Sequence, residues 1–507
     1  MDYELWQELG LTFADLWQAT GIEVEEHRVQ KSGCLSRHEY PNIFGSRNFH
    51  PMLQSDFGES QMELVTLPQP NLTAAMSFLD VLQAVVQRQL NADEVIWPLS
   101  LPPHLSDDDK QFVTTHFGRP KYQQYRDYLL KNYGIEQELI TGIHVNISLN
   151  EVLLEKLFKQ AKLPNSHFVS YKNHTYFHVA QFLSLHRYLL TYFFGASPIS
   201  ENQYWRIPEH IHYPVRSLRS STYGFENTAD KRIGYISLHD QINAIEHQIA
   251  KRRYFSEHEF YGPVRVKSKG DFRAVFKNGI DYLELRMFDL NPFEPNHLSL
   301  DALNFVRLLI AQSLFTAAPK DMNQAYAAAM ALNEKVALTD PSKKIPQFIA
   351  WAQRDFKLLY QTCERLGLPD YFKHLLDRLS KQLDDPQDTL GYQVAAQIQN
   401  NSLENFGLTQ GQKFKMYYAG ANAKTWPFLF LKDTLNLSQQ LVLQQAIIHG
   451  FKVNWQVHRV MVQFGKEFHL YDGDWIRTPQ AADQWLQTKF RTLRPDPDQA
   501  RTFGGIK

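Results

Sequence analysis

The chain has 507 residues, 43% of them hydrophobic, which is enough for a large packed core in roughly two to four domains of about 150 residues each. Its 53 Lys and Arg residues balance 54 Asp and Glu residues, so it lacks the basic excess that general binding to nucleic acid or a membrane surface requires. Two cysteines cannot build a disulfide framework, the acidic start lacks the features of a signal peptide, and no run of about 18 apolar residues occurs, so we expect a cytoplasmic protein.

In chain order, the first 300 residues predict a mixture of helices and strands. Periodicity and turn residues indicate a helix over 1–20, strands over 21–30 and within 45–70, helices over 71–90 and 120–132, a strand over 140–149, a helix over 174–194, a hairpin over 264–276 and a strand over 281–290. Asn71 is predicted to cap the helix over 71–90, and Gly134 to follow the end of the helix over 120–132.

The pattern changes twice in the second half of the chain. Residues 298–405 predict almost continuous helix, and mixed structure returns from about 412, with a helix ended by Gly450 and strands joined by turns. We therefore predict three parts: a core over 1–300, a helical region over 301–410 that packs on it, and a small mixed α/β tail over 411–507 of unknown role.

Four predicted strands carry polar residues on one face only, because side chains two apart in a strand share a face. The polar and apolar sets are Glu23 and Glu25 opposite Ile22 and Val24; Glu63 opposite Met62 and Leu64; His144, Asn146 and Ser148 opposite Ile143, Val145 and Ile147; and Tyr282, Glu284, Arg286 and Phe288 opposite Leu283, Leu285 and Met287. Asp56 precedes the second of these strands. Each strand taken alone also fits an antiparallel sheet with one solvated face.

Taken together, the four polar faces favour a metal site. Solvated faces usually mix Lys, Thr, Gln and Arg, whereas these carry four glutamates and no lysine. Such acids on one sheet would repel each other and resist ionisation unless cations neutralise them. Mg²⁺ prefers carboxylate oxygens and keeps positions open for phosphates, so about two or three ions beside Arg286 would suit phosphoryl transfer. No GxxxxGK[ST] motif occurs and no GxGxxG follows a strand, so an ATP site would be built on the sheet itself.

Six sequence blocks carry a family resemblance. They are GIEVEEHRV, SDFGESQMELVTLP, WPLSLPP, TGIHVNISL, FGASP and DYLELRMFDLNPF, and they lie in this order over roughly residues 1–310. With their acids, histidine and arginine present, they resemble the bacterial glutamate–cysteine ligases (γ-glutamylcysteine synthetases) and the N-terminal module of the bifunctional enzymes of glutathione synthesis. The resemblance implies an α+β fold related to glutamine synthetase, in which helices flank a curved antiparallel sheet.

The resemblance also implies a reaction, the first step of glutathione biosynthesis. ATP would phosphorylate the γ-carboxylate of L-glutamate, and the amine of L-cysteine would attack the acyl phosphate to give γ-glutamylcysteine. Mg²⁺, or alternatively Mn²⁺, would be the cofactor and ATP a substrate. The expected partners are these small molecules, without nucleic acid or membrane, and the expected state is a monomer or a homodimer.

Roles for individual residues follow from the resemblance, position by position. The implied metal ligands are Glu23, Glu25, Asp56, Glu63, His144 and Glu284. Arg286 would balance charge on the transferring phosphoryl group, and Arg126 would be a second catalytic arginine. The implied substrate-binding residues are Arg219, which would hold a carboxylate, together with Tyr125, Phe57, Tyr261, Phe225 and Asn146.

Two departures keep alternatives open. Phe225 in GFEN stands where related enzymes carry a tyrosine, which leaves open a carboxylate–amine ligase with a different amine acceptor. A non-catalytic nucleotide-binding relic and a metal-dependent hydrolase are further alternatives; His144, Arg286 and the complete acid set argue against the relic, and the amino-acid-binding blocks argue against the hydrolase. Glu26, an extra acid in the first block, is predicted to face away from the site as a solvated or locally paired charge.

The remaining features indicate ordinary structural roles. Residues 434–473 faintly resemble the linker before the ATP-grasp module of the bifunctional enzymes, and without that module we expect no glutathione synthetase activity. The basic run Lys267, Lys269 and Arg273 is typical of a solvated turn, and its approach to nucleotide phosphates is the alternative. Cys34 is predicted to be an ordinary free thiol, and Cys363 and Trp97 are predicted to pack in the core.

Overall fold

The computed structural model describes residues 3–47, 49–114, 120–201, 207–208, 211–420 and 427–490. Their strands form two sheets. The seven-stranded sheet contains β1 Trp17–Gln30, β2 Leu53–Ser55, β3 Gln61–Val65, β4 Glu94–Trp97, β5 Ile143–Leu149, β6 Val264–Lys267 and β7 Tyr282–Phe288. The three-stranded sheet contains β8 Lys452–Gln456, β9 Arg459–Phe464 and β10 Glu467–Tyr471.

Strand β1 organises the seven-stranded sheet, whose order is β2-β3-β1-β5-β7-β6. One edge of β1 pairs with β5 as far as Val24 and then, from His27 onwards, with β4, and the other edge pairs with β3 over Glu23–His27. All pairings between these strands are antiparallel. The predicted α+β class, with an antiparallel sheet flanked by helices, is confirmed.

Helices surround both sheets. They are α1 Tyr3–Glu8, α2 Leu72–Gln89, α3 Asp107–Val113, α4 Pro120–Tyr133, α5 Ile135–Glu138, α6 Glu151–Gln160, α7 Phe168–Leu185, α8 Arg187–Phe194, α9 Leu238–Ala250, α10 Val275–Asn278, α11 Leu300–Leu314, α12 Met322–Ala337, α13 Pro346–Arg365, α14 Asp370–Asp384, α15 Leu390–Ala395, α16 Glu404–Gly420, α17 Leu437–Ile448 and α18 Pro479–Lys489. As predicted, Asn71 caps α2, since its side-chain oxygen accepts a hydrogen bond from the Ala74 amide at 2.8 Å. Among the described residues, no helix has both the length and the apolar character to cross a membrane.

The apolar face of the seven-stranded sheet forms one side of the main hydrophobic core. Ile22 and Val24 on β1, Val145 on β5 and Leu285 on β7 are fully buried, and helices α2, α7 and α11 pack around this face. Each such side chain contributes about 1.5–3 kcal/mol through burial. The same core continues to Val460 in the three-stranded sheet, and the division of the chain into three parts stays a prediction. Because the apolar face is anchored, the opposite polar face is held in a fixed position.

Two predicted elements are wrong in their extent. The helix expected over 1–20 is much shorter: α1 ends at Glu8. Residues from Trp17 onwards belong to β1 instead, because they pair with β5. The hairpin expected over 264–276 has only its first strand. Asp271 instead accepts hydrogen bonds from the amides of Arg273 and Ala274, both at 2.9 Å, and thereby starts a helical turn. Strand β6 pairs with β7.

Candidate active site

Strand register brings the polar faces of β1, β5 and β7 together. Glu23 lies directly opposite His144, and Asn146 lies opposite Glu284. The register between β5 and β7 shifts beside His144, so two residues of β7 face this single residue of β5. Such bulges bend a strand and redirect a side chain, and here the shift places Arg286 beside the imidazole.

His144 lies at the centre of this cluster. Its Nδ1 is 3.2 Å from Glu23 Oε2 and 3.7 Å from Glu284 Oε1, and its Nε2 is 3.5 Å from Glu25 Oε1. Asn146 Nδ2 donates a hydrogen bond to Glu23 Oε1 at 2.7 Å. Burial and the neighbouring Arg286 lower the pKa of His144 to about 4, so the imidazole is neutral near pH 7 and has a lone pair available for a metal ion.

The ligand atoms of three of these residues are close enough to hold one ion. One such atom from each of Glu23, His144 and Glu284 lies within 4.8 Å of the other two. Burial raises the pKa of Glu23, but hydrogen bonds from His144 and Asn146 outweigh it, and the net shift is downward. A neutral imidazole beside ionised carboxylates is a donor set that fits a divalent cation.

Glu284 lies within a ring of basic side chains. It forms ion pairs with Arg286 and Lys267, and Arg265 Nη1 lies 3.8 Å from its Oε1. Burial opposes ionisation of Glu284, but Lys267, Arg286 and Arg265 outweigh burial and hold its pKa well below the usual value. Arg286 shows the converse effect, because Glu284 and then Glu25 raise its pKa despite burial. This end of the site therefore has positive charge available for a phosphate group.

Glu25 has the opposite electrostatic environment. It lies opposite Glu63 in the pairing of β1 with β3, and burial, then Asp56, then Glu63 raise its pKa well above the usual value. Asp56 itself is exposed and accepts a hydrogen bond from Gln61 at 3.4 Å. A divalent cation would relieve this repulsion, but Glu25, Asp56 and Glu63 are not part of the compact group of ligand atoms found among the described residues, so their metal-binding role stays a prediction.

An aromatic cluster contains the residues that were predicted to bind the amine substrate. The rings of Phe225 and Tyr261 lie 4.4 Å apart between centroids, and Tyr125 and Phe57 belong to the same hydrophobic cluster. Arg126 is buried, with its guanidinium carbon 5.0 Å from the centroid of Phe57. Burial, with Arg47 nearby, lowers the pKa of Arg126 to about 10, so it stays charged at pH 7.

A buried carboxylate next to this cluster escaped the sequence prediction. Glu138, the last residue of α5, is 4% exposed, and its Oε1 has no hydrogen-bond partner among the described residues. Burial, followed by Asp56 and Glu259, raises its pKa well above the usual value. After burial, the Glu138 carboxyl contributes to raising the pKa of both Tyr125 and Tyr261.

Arg219 approaches the cluster from the other side. Its two terminal nitrogens each donate to the backbone oxygen of Arg286 at 3.3 Å, and Nη1 lies 3.9 Å from Asp289 Oδ1. The guanidinium occupies the space that a Cβ on Gly142 would need. Arg219 is therefore held beside Arg286 by the backbone oxygen of Arg286 and by the carboxylate of Asp289.

Lys267 and Arg265 also belong to the cluster; the sequence offered Lys267 only as an alternative contact to phosphates and did not indicate Arg265. The expectation of a solvated turn is wrong for Lys267, because its ammonium pairs with buried Glu284. The signal was present in the alternation of VRVK, which puts Arg265 and Lys267 on one face of β6. No comparable signal marks Glu138, because its burial depends on tertiary packing.

The predictions made for residues outside the site are confirmed. Glu26 is fully buried on the far face of β1, where Gln83 donates a hydrogen bond to it at 2.6 Å and His297 Nε2 lies 3.4 Å away, so it is a locally paired charge. Cys34 is an exposed free thiol and Cys363 a buried one. None of these side chains belongs to the cluster around His144.

Comparison with known proteins identifies the family. The family model described as glutamate-cysteine ligase matches residues 15–256 and 246–336, which include every strand of the seven-stranded sheet. The chain belongs to the glutamate–cysteine ligase family. The resemblance carried by the six sequence blocks is therefore confirmed.

Some proteins that are similar to this chain are longer than it is. The glutathione biosynthesis bifunctional protein of Streptococcus thermophilus (strain CNRZ 1066) is 35% identical over 468 residues, covering 92% of this chain and 60% of that protein. Its counterpart in Enterococcus faecalis (strain ATCC 700802 / V583) is 32% identical over 456 residues, covering 89% of this chain and 59% of that protein. The chain thus spans about 60% of the length of these relatives.

Two solved structures resemble this family member. The bifunctional glutathione synthetase from Pasteurella multocida superposes with a TM-score of 0.83 at 27% identity, covering 93% of this chain and 61% of that one. The glutamate–cysteine ligase from Francisella tularensis, in complex with AMP, superposes with a TM-score of 0.70 at 20% identity, covering 88% of this chain and 97% of that one. The second likeness shows a shared fold.

Proposed function

We propose that this protein joins the γ-carboxylate of L-glutamate to the amine of L-cysteine at the expense of ATP, giving γ-glutamylcysteine, ADP and phosphate. The observation that carries this proposal is the cluster of Glu23, His144 and Glu284 beside Arg286, on the sheet of a chain that belongs to the glutamate–cysteine ligase family. Neutral imidazole and crowded carboxylates fit divalent cations next to the phosphates of a nucleotide.

The proposed metal ligands are the six residues named from the sequence. About two or three Mg²⁺ ions, or Mn²⁺ in their place, would neutralise the phosphate oxygens of ATP when bound there; the ligands are Glu23, Glu25, Asp56, Glu63, His144 and Glu284. Asn146 orients Glu23 through its 2.7 Å hydrogen bond, and this restricts the carboxylate to one direction. The cytoplasmic location and the choice between monomer and homodimer remain predictions.

In the first proposed step, a γ-carboxylate oxygen of glutamate attacks the γ-phosphorus of ATP, and the bond from that phosphorus to the ADP oxygen breaks. Arg286, with Lys267 and Arg265 behind it, places positive charge where the phosphoryl group passes. Arg219 lies beside Arg286 and is suited to hold the α-carboxylate of glutamate with its planar fork.

In the second proposed step, the amine of cysteine attacks the carbonyl carbon of the acyl phosphate. Glu138 accepts one proton of the ammonium group so that the free amine can attack. The C–N bond forms, the C–O bond to phosphate breaks, and the second proton lost by the nitrogen leaves with the phosphate as HPO₄²⁻. Tyr125, Tyr261 and Phe57 enclose the small thiol side chain, and this apolar wall keeps water away from the acyl phosphate. Arg126 offers its charge to the carboxylate of cysteine.

A second candidate function keeps the phosphoryl-transfer site and changes the amine. Phe225 packs on Tyr261 and offers no hydroxyl to the pocket. A pocket built without that donor discriminates less against amines that lack cysteine's polar groups. This favours screening other small amino acids as acceptors.

Phosphate release from ATP and Mg²⁺ in the presence of L-glutamate, with and without L-cysteine, tests the proposal when the product is identified by mass. Cysteine-dependent release with γ-glutamylcysteine formed supports the first candidate. Glutamate-dependent release that another amine stimulates more strongly than cysteine supports the second. No glutamate-dependent release under any condition contradicts both and leaves the non-catalytic relic.

A further inference from the structure

The three-stranded sheet leaves both of its edge strands, β8 and β10, unpaired on their outer side and leaves one face open among the described residues. Its order is β10-β9-β8, so β10 pairs with β9 only. Helix α17 packs on β8 and β9, and the inward side chains of Val453, Val462 and Tyr471 are buried there. The opposite face of β10 carries Phe468 and Leu470, which are 58% and 49% exposed.

The two edges of this sheet differ in chemistry. Strand β8 presents Lys452, Asn454 and Gln456 on the open face, and all three are exposed. Polar and charged side chains of this kind are a common protection of sheet edges against pairing with another chain. Strand β10 instead presents Phe468 and Leu470 on the open face, so that face lacks this protection; its polar residues Glu467 and His469, which pair with each other, lie on the other face.

The sequence around β10 is complementary to itself. It reads KEFHLYD over 466–472, with His469 at the centre. If two copies pair antiparallel about His469, Phe468 of one copy lies opposite Leu470 of the other. In the same register, Lys466 lies opposite Asp472 of the second copy, and this ion pair occurs at both ends of the strand. Lys466 and Asp472 are both exposed.

We propose that β10 is a docking surface for a second copy of this chain, through antiparallel pairing of the two β10 strands about a two-fold axis at His469. The same patch serves both copies, as a two-fold interface requires, and the two small sheets become one continuous sheet. A pair of five-residue strands buries less than the roughly 1,200–2,000 Å² of a standard stable interface. The dimer is therefore concentration-dependent.

Sedimentation velocity of the full chain over about 1–200 μM tests this proposal. We expect the wild-type protein to pass from monomer to dimer in this range. Lys466→Asp and Asp472→Lys should each raise the dimer dissociation constant about tenfold or more, because each places like charges opposite one another. The double variant restores opposite charges and should return the constant to near the wild-type value.

Two further variants separate docking from general effects. Phe468→Lys should abolish dimerisation without changing the melting temperature of the monomer, because its side chain is already exposed. Lys452→Asp, on the opposite edge of the sheet, should leave the dimer unchanged. A wild-type chain that stays monomeric over the whole range overturns the proposal, as does a dimer that resists both single charge changes or is not restored in the double variant.

Discussion

The two sheets of this protein differ in the burial of their polar faces. In the seven-stranded sheet, Glu284 and His144 project from the polar face yet are 2% and 4% exposed. In the three-stranded sheet, the outward residues Lys452 and Asn454 remain in water. A polar face that is buried needs compensating charge for each member, whereas a solvated face needs none. Burial of the polar face, more than its polarity, therefore distinguishes the candidate site.

The compensation within the large sheet is incomplete. Glu284 has basic partners, whereas Glu25 has acids around it. Basic side chains therefore compensate the charge of Glu284, whereas no such compensation outweighs the acids around Glu25, where a bound cation would supply it. In the three-stranded sheet, the open face carries polar residues on β8 and apolar residues on β10. The following predictions, in decreasing order of effect, test these differences.

Replacing one buried carboxylate of the large sheet should have the greatest effect. Glu284→Gln removes the partner of Arg286 and Lys267 and a proposed metal ligand, so cysteine-dependent phosphate release should fall by about 1,000-fold or more. The control is Glu246→Gln, since this residue pairs with exposed Arg273 outside the site, and it should keep full activity. A Glu284→Gln enzyme within about tenfold of wild type would contradict the assignment.

Glu138→Gln should act on the amine substrate. Loss of the buried carboxylate should lower kcat/KM for L-cysteine by about 100-fold while leaving the KM for L-glutamate within about twofold. Initial rates with each substrate varied in turn measure this. Glu136→Gln, on the same helix and paired with Lys110 near the surface, is the matched control. Equal losses for both substrates would argue that Glu138 serves only packing.

His50 should make the contact between the large sheet and α17 sensitive to acid. Its Nε2 donates to the oxygen of Ile447 at 2.8 Å and its Nδ1 accepts from the Leu53 amide at 2.8 Å, so it must be neutral. Burial lowers its pKa from 6.5 to about 4. Because the unfolded chain binds the proton first, stability is complete above pH 6.5 and is lost as the pH falls towards 4.

Urea unfolding at pH 7 and pH 4.5 measures this contribution. His50→Asn keeps an acceptor and removes the titration, so the variant should lose about 2 kcal/mol less than wild type between the two pH values. His27, also buried with a pKa lowered to about 4 by burial, contributes equally in both proteins and cancels in the comparison. Identical losses in the two proteins would contradict the role of His50.

The smallest of these effects concerns Mg²⁺. The increase in melting temperature that Mg²⁺ causes should become larger as the pH rises. The raised pKa of Glu25 means that the metal-free native state keeps a proton which the unfolded chain has released. Metal-free stability therefore falls as pH rises above the ordinary value of 4.5, and Mg²⁺ binds more tightly as the proton leaves.

Melting curves with and without MgCl₂ at pH 6 and pH 8 test this. The Mg²⁺-dependent rise in melting temperature should be larger at pH 8 than at pH 6, because the ionised carboxylate of Glu25 binds the cation more tightly. Glu25→Gln should abolish the pH dependence of the shift. A shift that is larger at pH 6 would contradict the assignment.

The sequence predicted which face of a strand each site residue occupies better than it predicted which strands pair. The period of two in a strand is a local property, so Glu23, His144 and Glu284 were placed on polar faces correctly. The register that sets Glu23 opposite His144, and the shift that brings Arg286 beside it, depend on pairing between distant strands. The roles of these residues stay predictions until they are measured.

The errors have local physical causes. The hairpin over 264–276 was wrong because the side chain of Asp271 captures two backbone amides and starts a helical turn, which a strand pattern does not reveal. Lys267 was taken as solvated because its partner, Glu284, lies on a different strand. Glu138 was missed because nothing in the sequence of a short helix shows that its last residue is buried among tyrosines.

Gly142 has a consequence for protein design. The guanidinium of Arg219 occupies the space that a side chain at position 142 would need. The position of Arg219 therefore depends on the glycine as well as on the hydrogen bonds of the guanidinium. Alanine there would displace the guanidinium from the backbone oxygen of Arg286. Any transplant of this charged cluster into another scaffold must therefore carry the glycine with it, although glycine contributes no charge, no ligand and no contact to substrate.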